Sequence, residues 1–180
     1  MIIFDTETTG LLKQDILDLD KQPKIIEFAA IKLDDKNLEE KSRIEFLVNP
    51  QQDIPEIITK ITGLRSDNFQ NTEPFTNHFE KLCDFFLGEK YLFAHNLGFD
   101  IGMLKVELKR IGKLTCFPFP PIQICTVQST MQLRGYRLNL TNLHQQLFNE
   151  GFPEAHRAMR DVEALTKCVV SLINSNIIKL

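Results

Sequence analysis

Asp5 and Glu7 stand two residues apart, directly after the apolar run Ile2-Ile3-Phe4. Such a run suits a buried central strand. Side chains two apart on a strand share a face, so both carboxylates are expected to project together from the end of an inner strand. Like charges side by side repel, and burying either is costly unless it is paired or bound to a metal. A divalent cation meets both demands. Thr8-Thr9-Gly10 adds two hydroxyls and a turn residue, the composition of a loop that brings its backbone close to a ligand. A D-x-E triplet alone more often closes a strand and caps a turn, so the chemistry depends on ligands supplied from elsewhere.

Two later acids break the pattern around them. Asp100 follows His95-Asn96-Leu97-Gly98-Phe99 and shares a helical face with Met103, Leu104, Leu108 and Ile111. An acid in a first helical turn is ordinarily a dipole partner, but this register turns it toward the core. Asp161 lies on the apolar stripe of Ala158, Leu165, Cys168, Val169 and Leu172, three residues after the first and four before the second. An unpaired charge on such a stripe is expensive, and a cation is the simplest compensation. His156 sits five residues before Asp161, after the Gly151-Phe152-Pro153 break. A regular helix would put it off the Asp161 face, but at the helix entrance it can swing toward the same place.

Phe4-Asp5-Thr6-Glu7-Thr8-Thr9-Gly10, His95-Asn96-Leu97-Gly98-Phe99-Asp100 and His156 with Asp161 resemble the three exonuclease motifs of the DnaQ-like, or DEDDh, 3′→5′ exonuclease family. They occur in that family's order and separations, and the similarity covers residues 1–172. The resemblance implies a ribonuclease-H-like α/β fold with a five-stranded mixed sheet flanked by helices. It implies two divalent cations, Mg²⁺ or Mn²⁺, held by the counterparts of Asp5, Glu7, Asp100 and Asp161. It assigns the general base to the position of His156. One departure is Cys125-Thr126, where many relatives carry an aspartate before Thr or Ser. Another is the long excursion at residues 11–24.

The implied reaction is two-metal phosphodiester hydrolysis that releases nucleoside monophosphates from DNA 3′ ends, in proofreading or end-trimming. Asp5 is expected to bridge two ions about 3.5–4 Å apart. Glu7 and Asp161 complete the ion that carries the attacking water, and Asp100 holds the other. An imidazole with an ordinary pKa of about 6.5 is a competent base near neutrality. Thr8, Thr9, Leu11, Asn96 and Phe99 are the candidate substrate-binding residues. The backbone near Thr8 and Thr9 would meet the 3′-hydroxyl, and Leu11 and Phe99 would pack on bases, a contact that tolerates any sequence. Lys105, Lys109, Arg110, Arg134, Arg137, Arg157 and Arg160 are candidate phosphate contacts. Expected partners are single-stranded or frayed 3′ ends, DNA before RNA, and a polymerase complex is a compatible setting. The alternatives are an exoribonuclease acting on RNA or short oligoribonucleotides, an aspartyl phosphatase, and an inactive nucleic-acid-binding module.

The elements that must position these residues are legible in outline. Strands are expected at the N-terminus and at 25–33, 42–48, 91–94 and 122–125. Helices are expected from Pro55 to Ile61, from Pro74 to Gly88, and over 99–111, 139–149 and 156–174. The prolines of Thr115–Pro121 forbid a helix or inner strand there. At 180 residues the chain suits one domain, here a single exonuclease domain over 1–180. A net charge of −3 gives no overall electrostatic case for nucleic acid, although bound metals reverse the sign locally. Cys83, Cys116, Cys125 and Cys168 form no CxxC pair and are expected to be buried free thiols in a reducing compartment. With the first strand starting at Met1, no signal peptide is expected. No apolar run is long enough to span a bilayer, and the expected location is the cytoplasm.

Overall fold

The structure is a computed structural model that describes residues 1–13, 15–152 and 156–180; the side chains of 132–134 are also left undescribed. Its strands are β1 (Ile2–Thr8), β2 (Ile25–Leu33), β3 (Glu40–Leu47), β4 (Tyr91–Ala94) and β5 (Ile122–Cys125). Its α-helices are α1 (Glu56–Thr62), α2 (Phe75–Phe86), α3 (Leu97–Arg110), α4 (Thr126–Arg134), α5 (Leu140–Phe148) and α6 (Ala158–Asn174). The strands form one mixed sheet in the order β3-β2-β1-β4-β5. β1 runs antiparallel to β2, and β2 to β3. β1 runs parallel to β4, and β4 to β5. This is the expected five-stranded sheet, led by an antiparallel meander.

Because β1 is central, both its faces are covered, which is why its sequence opens as a continuous apolar run. Ile2 and Phe4 pack with Phe28 and Ala30 against Leu82 and Phe86 of α2 and Met103, Leu104 and Leu108 of α3. Ile3 packs with Ala29, Ile31 and Phe93 against Leu143 of α5 and Val162, Leu165, Cys168, Val169 and Leu172 of α6. Each fully buried side chain of this kind contributes roughly 1.5–3 kcal/mol of transfer free energy. The alternation also sets the chemistry. The odd positions Asp5 and Glu7 continue the face that Ile3 turns to α6, while the even position Thr6 continues the face turned to α3.

One helix departs from the sequence expectation. Residues 126–134 form α4, where no element was expected. Thr126, Val127 and Thr130 are poor helix formers, but all three are buried, and Gly135 (φ 74°) ends the helix with its N–H on the Met131 carbonyl. Tertiary packing overrides propensity here.

The 11–24 excursion is a built loop. The Gln22 amide donates to the carbonyls of Lys13 and Ile16, and its oxygen accepts the Lys13 N–H. Arg110 of α3 donates to the carbonyls of Leu19, Gln22 and Pro23. Leu12 lies over Gly102, so closely that a Cβ there would stand 2.5 Å from Leu12 Cδ1. Cys125 and Cys168 are buried and Cys83 partly so, but Cys116 is exposed, contrary to expectation; all four are free thiols.

Candidate active site

β4 ends at Ala94 and pairs only with Ile2 and Ile3 of β1. The second half of β1 therefore has an open flank on that side, and α3 fills it. Asp100, in the first turn of α3 and 3 % exposed, accepts the Thr6 N–H at 3.2 Å and the Thr6 hydroxyl at 2.8 Å. Asp161, on the buried face of α6, accepts the His156 N–H at 3.0 Å. His156 precedes α6 with φ 73°, a left-handed conformation that non-glycine residues rarely adopt. That turn swings the histidine toward the acids. Glu7, His156 and Asp161 each offer a ligand atom within 4.8 Å of the others. Asp5, Glu7, Asp100, His156 and Asp161 line one cleft of about 390 Å³. A larger hollow of about 540 Å³, between the excursion, the 48–51 loop and the start of α2, contains none of these five.

The acids are held at high electrostatic cost. Burial, then repulsion from Asp100, Glu7 and Asp161, pushes the Asp5 carboxyl well above the ordinary range. Burial, then Asp161 and Glu27, pushes Glu7 up to about 8. Burial pushes Asp100 up to about 7 against the opposing hydrogen bonds from Thr6. Burial also raises Asp161, although the His156 N–H pulls the other way. Four hard oxygen donors that resist ionisation together suit a divalent cation, whose charge restores the ionised forms. The donor set of Asp5, Glu7, Asp100 and Asp161 therefore fits a divalent cation.

Glu27 is a fifth acid in this neighbourhood, outside the set expected from the sequence. It is 0 % exposed and stands opposite Glu7 in the β1–β2 ladder. Its oxygens accept Arg157 Nε at 3.1 and 3.2 Å, Arg157 Nη2 at 2.8 Å and the Ala158 N–H at 3.0 Å. The signal was present, since Glu27 interrupts the apolar run Ile25-Ile26-Phe28-Ala29 as Asp161 interrupts its stripe.

The other expected site residues divide. Asn96 and Phe99 line the cleft, and Leu11 is 79 % exposed. Thr8 and Thr9 are buried, and their hydroxyls serve the turn: Thr8 donates to the Gly10 carbonyl and Thr9 accepts the Lys24 N–H. Arg110 is corrected from a phosphate contact to a buttress of the excursion. Arg137 donates to Asn96 Oδ1 at 3.3 Å, and Arg160 pairs with Glu163. Lys105 and Lys109 are exposed. The side chain of Arg134, and Pro153 of the expected break, lie outside the described residues. Asn139, Leu140, Thr141 and Phe152 also line the cleft. His95, a lining residue, bridges Thr126 Oγ1 at 2.9 Å and the Leu138 carbonyl at 3.0 Å, tying that wall to β4. The carbonyl can only accept, so Nε2 carries the proton and Nδ1 accepts the Thr126 hydroxyl.

The family model described as Exonuclease (RNase_T) matches residues 2–169. The chain is 31% identical over 170 residues to the 3′-5′ exonuclease DinG of Bacillus subtilis, covering 90% of this chain and 16% of that protein. It is 31% identical over 163 residues to the PolC-type DNA polymerase III of Clostridium perfringens, covering 91% of this chain and 10% of that protein. The chain thus spans less than a fifth of either curated relative. Among solved structures, the nuclease domain of 3′hExo, a DEDDh family member bound to rAMP, superposes with a TM-score of 0.76 at 17% identity, over 98% of this chain and 92% of that one. Exonuclease X in complex with 5′ overhanging duplex DNA gives a TM-score of 0.68 at 21% identity, over 99% of this chain and 93% of that one. The sheet and its helices have the ribonuclease-H-like arrangement of these neighbours.

Proposed function

The chain belongs to the exonuclease family, and from that premise we propose that it is a metal-dependent 3′→5′ exonuclease removing nucleoside 5′-monophosphates from DNA ends. The observation that carries this reading is the meeting of Asp5, Glu7, Asp100, Asp161 and His156 in one cleft, from segments 156 residues apart in the chain at the extremes.

When bound, two Mg²⁺ or Mn²⁺ ions neutralise the phosphate and make a coordinated water acidic enough to react near neutral pH. Asp5, Glu7, Asp100 and Asp161 would hold the ions through their carboxylate oxygens. His156, exposed at the rim, takes a proton from the attacking water. The water oxygen bonds to phosphorus, and the bond to the 3′-oxygen of the preceding nucleotide breaks. Phe99, Leu140 and Phe152 give the cleft apolar walls for the terminal base, and Leu11, 79 % exposed, is free to pack on a base. With both hydroxyls committed to the turn, Thr8 and Thr9 meet the 3′-hydroxyl through backbone groups.

DNA is preferred because the matched regions of the curated relatives belong to a 3′-5′ exonuclease and to PolC-type DNA polymerases. The same relatives support a replication or repair setting in the cytoplasm, in or beside a polymerase complex. Among the described residues no helix is long and apolar enough to cross a membrane. A second reading, an exoribonuclease, draws on the rAMP-bound neighbour. Matched 5′-labelled DNA and RNA strands with Mg²⁺ decide between them. Faster shortening of DNA upholds the first reading, and faster shortening of RNA replaces it with the second.

A further inference from the structure

We propose that Glu27 and Arg157 form a positioning clamp that fixes the entrance of α6 and so holds the His156 imidazole beside Glu7 and Asp161. The inference rests on the exonuclease reading and adds two residues that touch neither substrate nor metal.

Among the described residues, the His156 ring has no hydrogen-bond partner, and the residue is exposed. Its backbone sits at φ 73°, a conformation that persists only where flanking contacts impose it. Those contacts lie on either side of the ring's attachment. The His156 N–H is taken by Asp161 Oδ2 at 3.0 Å. The next two residues are taken by Glu27, through the forked guanidinium of Arg157 and the N–H of Ala158, the first residue of α6. Glu27 is buried on β2 opposite Glu7. The clamp therefore ties the histidine's segment to the strand that flanks the metal-holding acids. A carboxylate at the start of α6 also meets the positive end of the helix dipole. With both oxygens of Glu27 occupied in this way, its role is orientation, not ligation.

A double-mutant cycle tests the clamp. Glu27→Gln keeps the shape and an acceptor for Ala158 but turns an amide toward the guanidinium. Arg157→Lys keeps the charge and loses the fork. Each is expected to lower kcat about 10- to 100-fold with KM within about twofold, since a small misplacement of a catalytic group has that effect. In a His156→Ala background both are expected to add almost nothing, because they act through that ring. Losses that instead multiply in that background, or a raised KM with kcat intact, overturn the clamp. In metal-free protein, the Arg157 Nε–H is expected to give a slowly exchanging NMR resonance that disappears in Glu27→Gln. Its absence from the unaltered protein also overturns the clamp. If Glu27→Gln does not fold, Arg157→Lys carries the same cycle. If the unaltered protein hydrolyses no nucleic acid, the exonuclease reading fails, while the resonance still reports on the clamp.

Discussion

The Thr6 hydroxyl donates to Asp100 Oδ1 at 2.8 Å, so the residue between the two acids of the first motif orients the acid of the second. Thr6 does this because β1 alternates, sending Asp5 and Glu7 toward α6 and Thr6 toward α3. Thr6→Val preserves shape and strand preference and removes the hydroxyl. It is expected to lower hydrolysis about 10-fold or more while changing stability by about 1–2 kcal/mol, and Thr6→Ser is expected to restore most of the rate. Initial rates and thermal melts of both variants check this.

The acid cluster makes stability depend on pH in a definite direction. Raised folded-state values mean that the protonated forms favour folding. That contribution is complete below the unfolded carboxylate values near 4. It is lost as pH rises through about 7 for Asp100 and about 8 for Glu7. The metal-free protein is therefore expected to melt at lower temperature at pH of about 8.5 than at about 5.5. Millimolar Mg²⁺ is expected to stabilise most at the alkaline end, where the acids are ionised. Calorimetry with and without chelator measures both trends.

Arg110 holds the 11–24 excursion through the Leu19, Gln22 and Pro23 carbonyls. Arg110→Met leaves those acceptors without their donor and Glu107 without its ion-pair partner. The expected cost is about 2–4 kcal/mol, typical of breaking a largely buried charged network. Limited proteolysis is expected to cut within residues 11–24 in the variant before cutting the unaltered chain. An Arg110 that served a phosphate would weaken substrate binding without this new cleavage.

Gly102 admits Leu12 against α3. Gly102→Ala gains up to about 1 kcal/mol of helix propensity but drives Leu12 out of its place. The expected result is a nearly unchanged melting temperature with a raised KM, since Leu12 adjoins Leu11, the proposed base contact, in the chain. Steady-state kinetics on a short single strand shows the shift.

The segments that bear the proposed site residues were legible because each breaks a local rule. Two acids follow the apolar run Ile2-Ile3-Phe4 within the central strand, and Asp100 and Asp161 sit on apolar helical faces. Both helical registers place their acids inward as the 3.6-residue period requires. Strands 25–33, 91–94 and 122–125 fall at their expected limits, because short apolar runs bounded by polar or turn residues leave little choice. What was not legible depends on partners distant in the chain. The α4 helix opposes its own propensities and exists through burial of Thr126, Val127 and Thr130. The inward turn of Arg110 depends on carbonyls 87 to 91 residues away. Glu27 reads as an isolated polar interruption until Arg157, 130 residues on, is brought beside it.

In the proposed mechanism Asp5, Glu7, Asp100 and Asp161 hold cations that let His156 activate water at a 3′-terminal phosphodiester. The most direct test follows a 5′-labelled single strand with Mg²⁺, with chelator, and with Asp5→Asn, whose carboxamide keeps the shape and removes the charge. A ladder shortening one nucleotide at a time is expected with Mg²⁺, and no shortening with chelator or with Asp5→Asn. Equal shortening by Asp5→Asn, or cleavage that persists in chelator, would contradict it.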